Sequence, residues 1–151
     1  VAAVNGMVTG GSLGLVLASD VVLMAPEASF TPWYGPVGFS PDGGWTTLLP
    51  DVIGRARAAD VLLRNCTISA EQAVEWGLAA AVAPAGVIRR QAESVAAEIG
   101  GMVPGAVRHT KAGLWRSRDR IAAALEDERR RFVDQIVTPE ARDGMARFLA
   151  R

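Results

Sequence analysis

The sequence is poor in the residues that build disulfide, metal and redox chemistry: its 151 residues include one cysteine and one histidine. A lone cysteine, Cys66, leaves no internal disulfide and no Cys-x-x-Cys pair, a usage that suits a reducing cytoplasm; its side chain is expected to be a small buried apolar one. A lone histidine, His109, cannot build a histidine-rich zinc site, and its helical, basic context "VRHTKAG" points to a surface or packing role instead of catalysis. There is no G-x-S-x-G elbow, so a serine triad is not indicated. Charge of one sign is lacking too: sixteen basic residues balance sixteen acidic ones, leaving no field to gather nucleic acid or an anionic membrane. No uninterrupted apolar run approaches the ~18 residues of a membrane span. The apolar opening "VAAVNGMVTGGSLGLVLASD" has no positive charge before it and is broken by Asn5, Ser12 and Asp20, so it does not read as a secretory leader.

What is present is a chain half apolar, enough for one ordinary core or for a piece of a larger unit. It opens at Val1 directly in strand-like residues, so it is expected to begin inside a domain. Val1 to Val4 reads as a short buried strand closed by the turn pair Asn5-Gly6, with a helix to follow from "GGSLGLVLAS". "DVVLMA" reads as a second strand and "ASFTPW" as a weaker extended stretch. From Pro32 to Gly44 four glycines and three prolines fall in thirteen residues, which predicts an ordered, irregular loop of the kind that often carries function.

Helices are expected over Trp45 to Leu49 and Arg55 to Arg64, with the Pro50 to Gly54 stretch between them, then over "SAEQAVEWG", with Ser69 as N-cap, Gln72 in the capping-box position and Gly77 as terminator. "LAAAVAP" reads as a further strand. After Pro84 the pattern is helical throughout. Val87, Gln91, Val95 and Ile99 form one stripe, Ile121, Leu125, Phe132 and Ile136 another, and a last helix opens with Thr138 as N-cap and Pro139 in its first turn. The run "EDERRR" reads as a solvated or partner-facing helix side. The plan is an α/β core over residues 1–83 followed by a helical region over 84–151.

Two stretches could carry chemistry. "TGGSLG" fits neither G-x-G-x-x-G, because Ser12 and Leu13 fall on required glycines, nor a P-loop. It is either a tight strand-to-helix turn or a set of free helix-start amides, chiefly that of Gly11, aimed at a developing negative oxygen. In "GFSPDGGWTTLLP", Asp42 is either a helix N-cap or a working carboxylate shielded by Trp33, Tyr34, Phe39 and Trp45.

Taken together, "AAVNGMVTGGSLGLVLASDVVLMAPEASF", "GFSPDGGWTTLLPDVIGRARAADVLL" and "ISAEQAVEWGLAAAV" closely resemble the enoyl-CoA hydratase/isomerase (crotonase) family, in order and over nearly the whole chain; "ARDGMARFLAR" is similar to the family's closing helix. The resemblance implies a spiral of ββα units, here its C-terminal part, with a helical region that builds homotrimers or hexamers. It implies an acyl-CoA thioester as substrate, coenzyme A entering with it and no permanently bound cofactor. It places one of two enolate-stabilising amides on Gly11 and the other upstream of Val1. Gly10, Trp33, Phe39, Phe148 and Arg151 become candidate substrate or coenzyme A contacts. Two family glutamates used in hydration are replaced, by Gly14 and Tyr34, so an acid and base around a water are lacking. Asp42 stands instead where phenylacetyl-CoA ring-epoxide isomerases, in the resemblance, have a proton shuttle and 4-chlorobenzoyl-CoA dehalogenases a nucleophile. Tyr34 stands where the dehalogenases have a loop tryptophan. Isomerisation with Asp42 as proton shuttle is the first expectation. A dehalogenase, a hydratase and a non-catalytic acyl-CoA-binding or assembly subunit are the alternatives.

Overall fold

The computed structural model describes residues 1–115 and 117–150. Its strands are short and fall into two three-stranded sheets. Strand β1 (Ala2–Val4) pairs in parallel with β3 (Val22–Met24), and β3 in parallel with β6 (Ala81–Val82). In the second sheet β2 (Met7–Val8) pairs in parallel with β4 (Ser29–Phe30), which pairs antiparallel with β5 (Ile68–Ser69).

Asn5-Gly6 therefore does not lead straight into the helix expected there. It breaks the strand, and the chain moves from one sheet to the other before helix α1 (Ser12–Leu17) begins. The same step recurs when β3 passes through Ala25 to Ala28 into β4, so two successive β-β units stack in register, Ala2 on Val22 and Met7 on Ser29. Parallel strands carry core on both faces, which is why "VLM" of β3 is buried at every position.

The Pro32–Gly44 stretch is not irregular throughout. It contains one helical turn, α2 (Tyr34–Val37), flanked by Trp33 and Gly38 in the left-handed region, φ 60° and 85°. The predicted helix over Trp45 to Leu49 is displaced: residues 43–48 form turns, and α3 runs over Leu49–Ile53 with Pro50 in its first turn. Proline starts this helix instead of ending one, because first-turn amides need no intrahelical acceptor. Helix α4 (Arg55–Arg64) follows, then α5 (Ala70–Glu75), where the Ser69–Gln72 capping box forms as expected.

Helices α6 (Ala85–Gly100), α7 (Pro104–Leu114), α8 (Arg118–Ile136) and α9 (Pro139–Leu149) complete the chain, and the Thr138 hydroxyl caps α9 by accepting from Ala141 N–H at 3.2 Å. Of the two predicted stripes, Ile121, Leu125 and Phe132 are half-buried, whereas Gln91 and Ile136 are exposed. The fold class is thus the expected mixed α/β core with a helical C-terminal region. Leu13, Met24, Phe30, Trp45, Leu49 and Ile68 lie fully buried where the two sheets, α1 and the turn after Asp42 meet. Among the described residues no helix is long and apolar enough to cross a membrane.

Candidate active site

The glycine-rich turn is fastened from within. Thr9 N–H donates to Ser12 Oγ at 3.2 Å, and the Ser12 hydroxyl donates back to Thr9 O at 2.5 Å. Gly10 takes the left-handed conformation, φ 54°, and its carbonyl accepts from the indole N–H of buried Trp45 at 2.7 Å. Gly11, at the N-cap of α1, is exposed, and no group among the described residues accepts its N–H. A turn of this kind leaves one amide free to meet a ligand oxygen.

Asp42 is brought onto that turn by a backbone approach that side chains would forbid. A Cβ at Gly14 would lie 2.6 Å from the Gly43 carbonyl oxygen, and one at Gly43 would overlap Gly11 Cα. With hydrogen at these positions the Asp42 carboxyl lies over Gly11, its Oδ1 and Oδ2 at 3.7 and 3.8 Å from where a Gly11 Cβ would sit. Position 14 therefore cannot hold a glutamate without moving the loop.

Of the two roles open to Asp42, helix capping is not the one found. The Gly44 N–H, which a capping Asp42 would accept, goes to Glu128 Oε2 at 2.7 Å. Asp42 Oδ1 instead accepts from the Tyr34 hydroxyl at 2.5 Å, and the same hydroxyl lies 3.1 Å from Asp42 O. Burial, and after it the hydrogen bond to Asp42, push the Tyr34 phenol far above its ordinary value, so it remains a protonated donor. Tyr34 also stacks edge-on against Trp45, at 6.2 Å between centroids, and lines an apolar cleft of about 500 Å³ with Phe39, Pro41, Ala58 and Leu62.

The other sequence candidates divide. Trp33 and Phe148 meet edge-on at 5.5 Å, so α9 reaches the site's own loop within one chain. Phe39 packs edge-on against Phe132 at 5.6 Å and lies with Tyr34 in the apolar cleft. Arg151 lies outside the described residues. His109 is exposed, the surface alternative of the two open to it; Cys66 is half-buried, not buried, with its sulfur 4.0 Å from Asp60 Oδ2.

Three residues that hold the site went unread in the sequence. Glu128 belongs to "EDERRR", expected to be a solvated or partner-facing side, yet it is 1% exposed, while its neighbours Asp127 and Arg129 are exposed. Its spacing was the available signal: Glu128 stands three after Leu125 and four before Phe132, on the apolar stripe itself. Gln135 Nε2 donates to Gly38 O at 3.0 Å, and Asn65 Oδ1 accepts from Trp33 N–H at 2.8 Å, holding Trp33 in its left-handed conformation. Neither residue announces a partner 97 or 32 positions away.

The sequence profile of the enoyl-CoA hydratase/isomerase family matches residues 1–151. This chain belongs to that family. The 1,2-epoxyphenylacetyl-CoA isomerase of Escherichia coli (strain K12) is 45% identical over 78 residues, 52% of this chain and 30% of its own length. A probable enoyl-CoA hydratase, echA8, of Mycobacterium leprae (strain TN) is 34% identical over 152 residues, 100% of this chain and 59% of its own. Among solved structures, an enoyl-CoA hydratase/isomerase from Pseudoalteromonas atlantica T6c superposes with a TM-score of 0.92 at 26% identity, over 98% of this chain and 60% of that one. The chain thus spans about 60% of the length of the relatives it matches end to end, and its crotonase-like fold is that of the family. Position 14, where the resemblance led to the expectation that a hydratase glutamate is missing, holds a glycine on which the approach of Gly43 depends.

Proposed function

We propose that Gly11, Tyr34 and Asp42 form part of a site acting on an acyl-CoA thioester, with Asp42 as the group that moves a proton. Binding the thioester oxygen at the Gly11 N–H polarises the carbonyl and makes the neighbouring C–H acidic. The Asp42 carboxylate takes that proton, the electron pair passes into the enolate, and the carboxylic acid returns the proton at another carbon as the new C–H bond forms. We assign the second amide donor to the part of the relatives' length that this chain does not span. Tyr34, kept protonated, holds the Asp42 carboxyl in place. The observation that carries the reading is the Asp42 carboxyl lying over Gly11 while the Gly11 N–H has no acceptor among the described residues.

The product we assign first is an isomer, a shifted double bond or a rearranged ring, because one carboxylate suffices for it. Two other outcomes have specific support. The hydratase name of the relative matched over the whole chain favours addition of water, with Asp42 as its acid or base. The hydrogen bond that Tyr34 donates to Asp42 favours a dehalogenase, in which an aromatic residue aims a carboxylate nucleophile at an aryl-CoA. A non-catalytic binder is the remaining alternative. Phe148, packed on Trp33, is the candidate coenzyme A contact of α9. We further assign the helical region to homotrimer or hexamer assembly, supported by its exposed Met102, Val103, Leu114 and Leu149; a monomer by light scattering at working concentration would contradict this.

Mass spectrometry of the products, and of the enzyme itself in a single turnover, with the full-length enzyme in heavy-oxygen water and in deuterium oxide separates the readings. An isomer that gains deuterium but no water oxygen is the expected result. Water oxygen added across a double bond indicates the hydratase, an aryl adduct on Asp42 the dehalogenase, and α-protons left unexchanged the binder.

A further inference from the structure

The reaction proposed above leaves unused one carboxyl group buried beside it. Glu128, in the middle of α8, turns both oxygens towards the segment that directly follows Asp42. Oε2 accepts from Gly44 N–H at 2.7 Å; Oε1 accepts from Thr46 N–H at 2.8 Å and from the Thr46 hydroxyl at 2.5 Å. These donors open the turn closed by Leu48 N–H on Gly44 O at 2.7 Å, so Glu128 does for this turn what an N-cap does for a helix, but from 82 and 84 residues away.

Capping from outside the segment matters because Asp42 is a residue type that caps its own helix start. With Gly44 N–H unengaged, the Asp42 carboxyl could turn back onto that amide and leave Gly11. With the amide engaged, the carboxyl accepts from Tyr34 and lies over Gly11. We infer that Glu128 is a positioning residue: by occupying the Gly44 and Thr46 donors it denies them to Asp42 and holds the Asp42 carboxyl at the site. The inference rests on Asp42 being the proton-moving group.

The test is a double-mutant cycle in the full-length enzyme, reading kcat and KM for conversion of an accepted acyl-CoA. Glu128→Gln keeps the side chain's size but sets an NH2 group against donors. It is expected to lower kcat by about 10²-fold, the size of effect that misplacing a reacting group by an ångström can have, with KM unchanged. Thr46→Val, which removes only the hydroxyl bond, is expected to lower kcat less. In an Asp42→Asn background neither change should lower the residual turnover further, since a group already absent cannot be misplaced. Wild-type kcat in Glu128→Gln, or the same fold-loss with and without Asp42, overturns the inference. If Glu128→Gln does not fold, the Thr46→Val cycle is decided by the same two outcomes. Wild-type turnover in Asp42→Asn alone is a separate failure, that of Asp42 itself as the proton-moving group.

Discussion

The wall of the site that carries Gly11 is shaped mainly by its neighbours, with one longer bond from Trp45 to Gly10, whereas the wall that carries Asp42, beyond its bond to Tyr34, is shaped from the far end of the chain. Thr9 and Ser12, three positions apart, exchange two hydrogen bonds and set the turn before α1. The Asp42 wall is held by Glu128 at Gly44 and Thr46 and by Gln135 at Gly38. The backbone of α9 adds to this, with Gly144 set so close that a Cβ there would overlap Val37 O. A wall made of local bonds can form as soon as its own residues meet. A wall made of distant bonds is complete only with the helical region docked, so the place of the Asp42 carboxyl over Gly11 depends on contacts far along the chain.

The comparison can be broken hardest at the seam between the walls. Gly43→Ala adds a side chain at φ 63° and against Gly11 Cα, and we expect a loss of roughly 2–5 kcal/mol in denaturant unfolding, from backbone strain and overpacking combined. A variant as stable as the wild type would mean that the walls do not touch as described. By contrast, Ser12→Ala removes only exposed local bonds on the Gly11 wall. Its loss should be about 1 kcal/mol or less by the same measurement, and a loss equal to that of Gly43→Ala would remove the distinction between local and distant support.

A pH experiment sharpens the same contrast, because Tyr34 is the single tyrosine of this chain. Its phenol is raised above the ordinary value of 10.0 in the folded state. Its stabilising contribution is therefore fully present below that pH and is lost as pH rises towards the folded value. Ultraviolet titration should show no phenolate while the chain stays folded above pH 10.0, and Tyr34→Phe should flatten the alkaline fall in stability. Phenolate appearing in the folded chain at its ordinary pH would show that the Tyr34–Asp42 bond is open to water.

What was legible in the sequence follows the same division. The Ser69–Gln72 capping box and the Thr138 cap are decided within four residues, and spacing alone reveals them, whereas at Gly11 the same local view left a tight turn and a free amide both open. Asp42 was visible as a candidate, but its role was not, because "PDGG" suits a cap and a working carboxyl equally. What counts against capping, the Gly44 amide already taken, comes from Glu128, 84 residues further along. Pro50 misled for a related reason: a proline marks a helix edge without saying which edge, and the turn ahead of it is held by tertiary bonds that propensity does not register. Charge was read as exposure in "EDERRR", although the Leu125–Phe132 stripe runs through Glu128.

The most direct measurement is hydrogen exchange at the carbon beside the thioester, followed in deuterium oxide with the full-length enzyme and its Asp42→Asn variant. Positioned acid–base groups typically contribute about 10²–10⁴-fold; the variant should lose exchange by that factor while still binding the acyl-CoA. Exchange at the wild-type rate with Asn at position 42 would contradict the account.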